Sequence, residues 1–454
     1  MDQIELILEL VKNKLWGAPL LVLIMGTGVY LTIILRGLQF KYLWYGTKQV
    51  FAKQQADSKG DISHFEALMT SLAGAIGTGT IVGVATAVAV GGLGSLFWMW
   101  ITAFFGMATK YAESMLAVKY RSVDSRGEMS GGPMQYIAKG LGWKTVALLF
   151  ALFGSIAAIG TGNLVQVNSI ADALENVWSI NPWVSGAAIA ILTGLVLIGG
   201  VKSIGHLAGV LVPFMAIFYI IGGVVIIFLK WNLVPEAIQL IFTSAFEGQA
   251  AAGGFAGATV MMAIQMGVAR SVISNEAGLG ISSIAAAAAI TDQPARQGLI
   301  NMTGIVATMI VCTFTGLVLA VTQVVGKTDS DGYTLNGASL AIEAFSSTLP
   351  WGEYIVTIGL VLFAWTTVVA WAYYGEKCFE YLLGEKAIIP YRILYTLLVI
   401  PGAAINLELA WHVADISNAL MVIPNLIALI ALTKVIKAET KSFIETINLK
   451  PEEA

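Results

Sequence analysis

Charge is scarce in this sequence. Asp, Glu, Lys and Arg make up 12% of its 454 residues, about half of the roughly 25% found in a water-soluble domain. Hydrophobic residues reach 57% and the mean hydropathy is +0.79, which excludes an ordinary soluble fold. Cysteine is nearly absent. Cys312 and Cys378 each sit in an apolar stretch and supply no disulfide framework. The histidines are His64, His206 and His412, with no H-E-x-x-H and no G-x-S-x-G elbow. Nothing here assembles a hydrolytic or metal-catalytic centre, so no enzyme and no cofactor are expected. A net charge of -3 offers nucleic acid no basic footprint. The opening MDQIELILELVKNKLW places acids before lysines and does not read as a cleaved signal peptide.

What is present is long apolar runs. A helix needs about 20 mostly apolar residues to cross a bilayer. Eleven segments qualify: 17–36, 65–90, 94–118, 145–172, 182–200, 205–229, 237–270, 297–325, 353–378, 390–406 and 411–436. The seventh is too long for one straight crossing and is interrupted by glycine near its middle. The polar stretches 37–64, 119–144 and 326–350 read as loops, and 437–454 as a charged tail. Of the 25 lysines and arginines, one set of alternate loops holds only Lys12, Lys14, Lys230 and Lys327. The rest, from Arg36 through Arg270 and Arg296 to Lys450, fall on the other side. Basic loops stay in the cytoplasm, so a cell-membrane protein with its N-terminus outside and its C-terminus inside is expected.

Two spans carry glycine clusters: Ala73-Gly74-Ala75-Ile76-Gly77-Thr78-Gly79-Thr80, and Ala252-Gly253-Gly254-Phe255-Ala256-Gly257-Ala258-Thr259. Each glycine costs a helix about 1 kcal/mol relative to alanine, so a cluster needs a purpose. One reading is unwound backbone lining a wet site. The other is a close-packing face, as in Gly79-x-x-x-Gly83. The clusters lie five spans apart, and five is odd, so the second unit enters the membrane in the opposite direction. Residues 65–229 and 230–436 then form two inverted five-helix units. The first span and its loop (1–64) are extra and 437–454 is a tail. Paired interrupted helices point to a transporter's central site. Half-helix starts present free N–H groups, and half-helix ends present carbonyls, together suited to a zwitterion and a small cation.

The run Gly91-Gly92-Leu93-Gly94-Ser95-Leu96-Phe97-Trp98-Met99-Trp100, ending at Gly106, resembles the signature of the alanine/glycine:cation symporter family. Gly106-Met107-Ala108-Thr109-Lys110-Tyr111-Ala112-Glu113 and Ser274-Asn275-Glu276-Ala277-Gly278-Leu279-Gly280 are similar to it too. Ser95 departs from the usual Gly or Ala but is still small. The resemblance covers about residues 60 to 435. It implies an all-helical LeuT-type five-plus-five inverted repeat, sodium or proton coupling, and alanine or glycine as substrate. The sequence leaves the oligomeric state open, and a monomer is compatible with one chain carrying both halves.

The same resemblance puts Ala75, Thr78 and Gly79 at the substrate-facing break of the second span. Gly253, Gly254 and Phe255 then stand at the break of the seventh. Amides near Thr78 and Gly79 would receive a carboxylate. No acid lies in the middle of that span to take the ammonium, so neutral groups must. Of Asn163, Gln166 and Asn168, Gln166 is favoured by position, with an ordinary interhelical hydrogen bond as the rival reading. Thr366 and Thr367 resemble the paired hydroxyls of a sodium site, with carbonyls of Ala73, Ile76 and Phe363, although such hydroxyls also bond back along their own helix. Thr367 and Trp371 would also border the substrate. Lys110, Glu113 and Glu247 lie near span ends, where pairing or solvation competes with a functional role. Asn275 and Glu276 read as gating or packing. A channel, or a symporter of another small solute such as proline, is the competing function.

Overall fold

The computed structural model describes residues 3–52, 58–247, 259–328, 332–405 and 407–449. Among these, six helices are long and apolar enough to cross a membrane. A pair comprising His64–Ala75 and Gly79–Gly91, bent by 53°, raises the count to as many as seven. Large apolar side chains such as Val22, Ile198 and Phe228 lie more than half exposed on the outer surface, a distribution that suits hydrocarbon and not water. The chain is a multi-pass helical membrane protein.

Local chemistry fixes the helix ends near the middle of the molecule. Helix α1 (Gln3–Leu15) leads into α2 (Ala18–Ile34) and α3 (Leu38–Gln49). Helix α4 (His64–Ala75) opens with a capping box: Ser63 Oγ accepts the Glu66 N–H at 3.1 Å, and Glu66 Oε2 accepts the Ser63 N–H at 2.9 Å. It stops because Ile76 takes φ -83° and ψ 73°. A single π-turn over Gly79–Gly83 restarts the helix as α5 (Val84–Gly91). Such turns concentrate at functional sites. A second π-turn, Gly160–Leu164, joins α8 (Lys144–Ile159) to α9 (Val165–Trp178). Between them run α6 (Gly94–Lys119), a hairpin of β1 (Ser122–Val123) and β2 (Met129–Ser130), and α7 (Pro133–Leu141). The polar stretch 119–144 is therefore largely ordered structure.

Helices α10 (Pro182–Ile198) and α11 (Gly200–Leu229) complete the first half. A Cβ on Gly205 would touch Ile62 and Glu66, so α11 begins beside the start of α4 and ends at the opposite face. Two helices stand where a single crossing over 237–270 was expected. Helix α12 (Val234–Glu247) starts at that opposite face and is still there at its end, where Ala245 O accepts the Trp98 indole N–H at 3.1 Å. Helix α13 (Val260–Asn275) also starts there, since a Cβ on Gly91 would stand 3.0 Å from Met262 O. Helix α12 thus lies along one face, and α13 turns inward. Arg270, counted above with the cytoplasmic basic set, consequently points away from the basic loops; a Cβ on Gly83 would sit 3.8 Å from its Cδ.

Helix α13 stops at Asn275 because Glu276 adopts φ 59°, followed by Gly278 at 95° and Gly280 at 75°. The chain resumes as α14 (Ser283–Ala287) and ends beside the start of α4, where Ala288 O accepts the Asp61 N–H at 2.8 Å. The pair α13–α14 therefore runs antiparallel to α4–α5, with the two breaks side by side. Helices α15 (Pro294–Thr322), α16 (Gly337–Ser346), α17 (Gly352–Leu383), α18 (Ile388–Gly402), α19 (Leu407–Ala431) and α20 (Thr433–Leu449) complete the chain. Helix α17 packs on α4, α8, α9 and α11 and has 78% of its most apolar stretch buried. It is the central post against which both breaks rest.

Candidate functional site

The break after α4 meets α17 and the π-turn between α8 and α9. Thr367 Oγ1 lies 2.8 Å from Ala73 O and 3.0 Å from Phe363 O. Thr366 Oγ1 donates to the same Phe363 carbonyl at 3.0 Å and approaches Met215 Sδ at 3.5 Å. Back-bonding along the helix and bridging to the break thus coexist on one hydroxyl pair. Gln166 Oε1 accepts the Thr78 N–H at 3.2 Å, while its Nε2 donates to Thr161 O at 3.0 Å. Trp371 Nε1 donates to Gly74 O at 3.3 Å. Ala73, Ala75, Ile76, Thr78, Gln166 and Thr367 are all buried.

Sequence reasoning brings Ala73, Ala75, Ile76, Thr78, Gly79, Gln166, Phe363, Thr366, Thr367 and Trp371 to this junction, and the structure places them around it. Gly253, Gly254 and Phe255 lie outside the described residues. The stretch set against the first break is Ser274–Ser282: Ser274 Oγ donates to Gly79 O at 3.0 Å, and a Cβ on Gly74 would sit 3.1 Å from Glu276 Oε1. Asn275 and Glu276, read from sequence as gating or packing, stand at the second break itself. The signal was available. A polar run with glycines at 278 and 280, between an apolar helix and an alanine-rich one, cannot continue a helix through a membrane.

Two glycines missed as site residues have steric reasons to be there. A Cβ at Gly77 would collide with Thr367 Oγ1 and stand 3.1 Å from Gln166 Oε1. A Cβ at Gly162 would collide with the Trp371 side chain. The contacts that define the junction therefore require backbone with no side chain at both positions.

The two faces of the junction differ. One turn beyond Gly79, a cavity of about 790 Å³ is lined by Val82, Thr86, Asp172, Arg270, Trp411 and Asp415. The Arg270 guanidinium lies 5.2 Å from the Trp411 ring centre, a cation–π contact. The opposite, basic face is fastened shut. Arg121 donates to the carbonyls of Ala287 and Ala289 at 2.7 Å, Lys59 at 2.8 Å and Thr291 at 2.5 Å. Burial pushes the Asp61 carboxyl above its usual range, against the Met129 N–H that it accepts at 2.8 Å. Fully buried Lys377 holds Glu380 at 2.9 Å, Glu128 at 3.5 Å and Asp124 at 3.6 Å, which pins the hairpin to α17.

Two interrupted helices side by side, a polar junction between them, a cavity on one face and a fastened opposite face define a membrane transporter. The model of the sodium:alanine symporter family matches residues 1–453, and the chain belongs to that family. It is 51% identical over 452 residues to the sodium/alanine symporter AgcS of Methanococcus maripaludis, covering 98% of each chain. It is 35% identical over 446 residues to the probable sodium/glutamine symporter GlnT of Bacillus subtilis, covering 98% of this chain and 91% of that one. The solved structure of MhsT in complex with L-phenylalanine has the same fold, LeuT-type, with a TM-score of 0.60 at 14% identity over 82% of this chain and 89% of MhsT.

Proposed function

We propose that this protein is a sodium-coupled symporter that carries alanine and glycine into the cell by alternating access. The observation that carries the proposal is the convergence of Thr367 Oγ1 with the carbonyls of Ala73 and Phe363 at 2.8 and 3.0 Å. Neutral oxygens drawn from a half-helix end and a facing helix suit a small hard cation, which would replace these hydrogen bonds with coordination. The substrate carboxylate takes the N–H groups around Thr78 and Gly79, where the Gln166 amide now sits. Trp371, packed on Gly162, would border the substrate side chain. Identity to a named sodium/alanine symporter supports the same reading.

Eleven crossings make up the chain in this reading. The first repeat is α4–α5, α6, α8–α9, α10 and α11. The second is α13–α14, α15, α17, α18 and α19, with α2 the extra helix. The basic face is cytoplasmic, which places the N-terminus outside and the C-terminal α20 inside.

Purified protein in liposomes, given labelled alanine with an inward sodium gradient or with choline in its place, tests the proposal. Uptake should require sodium and be competed by glycine, but not by proline or glutamine. Uptake indifferent to sodium would remove the coupling; better competition by proline or glutamine would remove the substrate assignment.

A further inference from the structure

Helix α3 carries a surface that neither sodium nor an amino acid accounts for. Phe40, Trp44 and Phe51 are 70%, 71% and 76% exposed. Arg36, Lys41 and Lys48 are exposed beside them. Between Glu9 and Asp57 the chain has no acid, so this segment carries positive charge only. Steps of three and four put Lys41, Trp44 and Lys48 on one face of α3, with Phe40 and Thr47 flanking Trp44 on its other side.

Beneath α3, two apolar grooves follow the flanks of α15. One, of about 330 Å³, lies between α15 and α6 and is lined by Trp100, Phe104, Met107 and Met309. The other, of about 300 Å³, lies between α15, α3 and α4 and is lined by Thr47, Val50, Leu68 and Leu72. Val306 and Ile310 belong to both walls, and Ile310 is 43% exposed, so one ridge parts two grooves that open outward. Helix α3 spans both. Phe40 packs on Phe104 with ring centres 4.9 Å apart, while Phe51 lines the second groove. The hydroxyls in the walls are already used. Thr47 donates to Leu43 O at 3.0 Å, Thr303 to Ile300 O at 2.6 Å and Thr313 to Met309 O at 2.7 Å. The Trp100 indole donates to Thr313 Oγ1 at 2.9 Å. These walls are fitted to hydrocarbon.

We propose that this face binds an anionic phospholipid, one acyl chain in each groove astride Val306 and Ile310, with its phosphate at the basic face of α3. Two grooves parted by a ridge match two chains. Positive charge at one end, with aromatic rings between it and the grooves, matches an anionic headgroup at the membrane interface. A symmetric second copy would instead set the same basic residues against one another. The second groove is walled by Leu72, whose carbonyl accepts the Ile76 N–H at 2.6 Å. A bound chain therefore bears on the half-helix that ends at the first break. On the transport reading above, lipid and sodium then strengthen each other's binding.

Native mass spectrometry of the detergent-purified protein, titrated with phosphatidylglycerol or with phosphatidylcholine of identical chains, tests the site. One phosphatidylglycerol should bind at least about fivefold more tightly, the effect of engaging one basic residue. Combined Arg36→Gln, Lys41→Gln and Lys48→Gln should erase that preference. Ala307→Phe, which fills the second groove, should weaken both lipids. Thr47→Phe narrows the same groove from the exposed side of α3 and replaces it if Ala307→Phe does not fold. Equal binding of the two lipids by the parent protein, or a preference that survives the triple substitution, overturns the proposal. So does a dimer that Ala307→Phe dissolves, which would assign the face to a second copy. With phosphatidylglycerol present, half-maximal alanine binding should need less sodium in the parent than in the groove-filled variant. Equal requirements overturn the link to α4. Alanine binding with no sodium dependence at all sinks the symport reading instead, and the lipid titration still decides the site.

Discussion

The hydroxyl of Thr367 lies 2.8 Å from the carbonyl oxygen of Ala73, across 294 positions of sequence. That bond ties the end of α4 to the middle of α17. Thr366 shares only the Phe363 carbonyl and otherwise faces Met215. The two threonines should therefore not be equivalent. Thr367→Val is expected to raise the sodium concentration for half-maximal alanine binding about tenfold, the loss of roughly 1.4 kcal/mol, and Thr366→Val by less. Scintillation proximity binding over a sodium series measures both; equal effects would contradict the geometry.

Gly77 has no room for a methyl group. Its Cβ would collide with Thr367 Oγ1. Gly77→Ala should cut sodium-driven alanine uptake by at least about tenfold, since it parts the break from α17 by overpacking a dense interior. Adding Thr367→Ala to Gly77→Ala removes the colliding atom and should restore extractable, monodisperse protein without restoring sodium dependence. Gel filtration and uptake of the two variants read this out.

Lys377 is fully buried among Asp124, Glu128 and Glu380. Removing one partner of such a cluster costs roughly 3–5 kcal/mol. Arg126 still bonds Asp124 and Glu128, at 3.1 and 2.8 Å, so Lys377→Met should fall at the low end. A lower unfolding temperature in detergent is expected, with Lys377→Arg nearer to the parent.

Topology has a direct check. Cys312 and Cys378 are both buried, so they need not be removed before labelling. A cysteine at exposed Ser125, on the hairpin, should react with impermeant maleimide only from the cytoplasmic side, and one at Tyr333, which is 74% exposed, only from outside. Reaction of both from one side would break the eleven-crossing arrangement.

The first break was legible in the sequence because glycine, in a run of otherwise helix-forming apolar residues, is a local signal. Resemblance singles out Thr367, and position singles out Gln166 and Trp371; all three side chains bond at that break. The second break was harder. Gly253, Gly254 and Gly257 lie outside the described residues; among those described, it is the end of α13, at Ser274, that meets Gly79. Glycine marks where backbone can leave a helix, and at Glu276–Gly280 it is tertiary packing that makes it do so. The burial of Lys110 and Glu113 was hidden for a related reason. Their distance from the end of α6 suggested solvation, and only the folding of the second break over them removes the water.

A single guanidinium, that of Arg121, holds the carbonyls of Lys59, Ala287, Ala289 and Thr291. Lys59 precedes α4, while Ala287 ends α14 and Ala289 and Thr291 follow it. Separating the two segments on the basic face forfeits several charge-assisted bonds together, so partial opening keeps little of their energy. Such a clasp discourages half-open states, through which ions would leak without cargo. Fidelity of coupling then depends on an arginine that touches neither sodium nor amino acid.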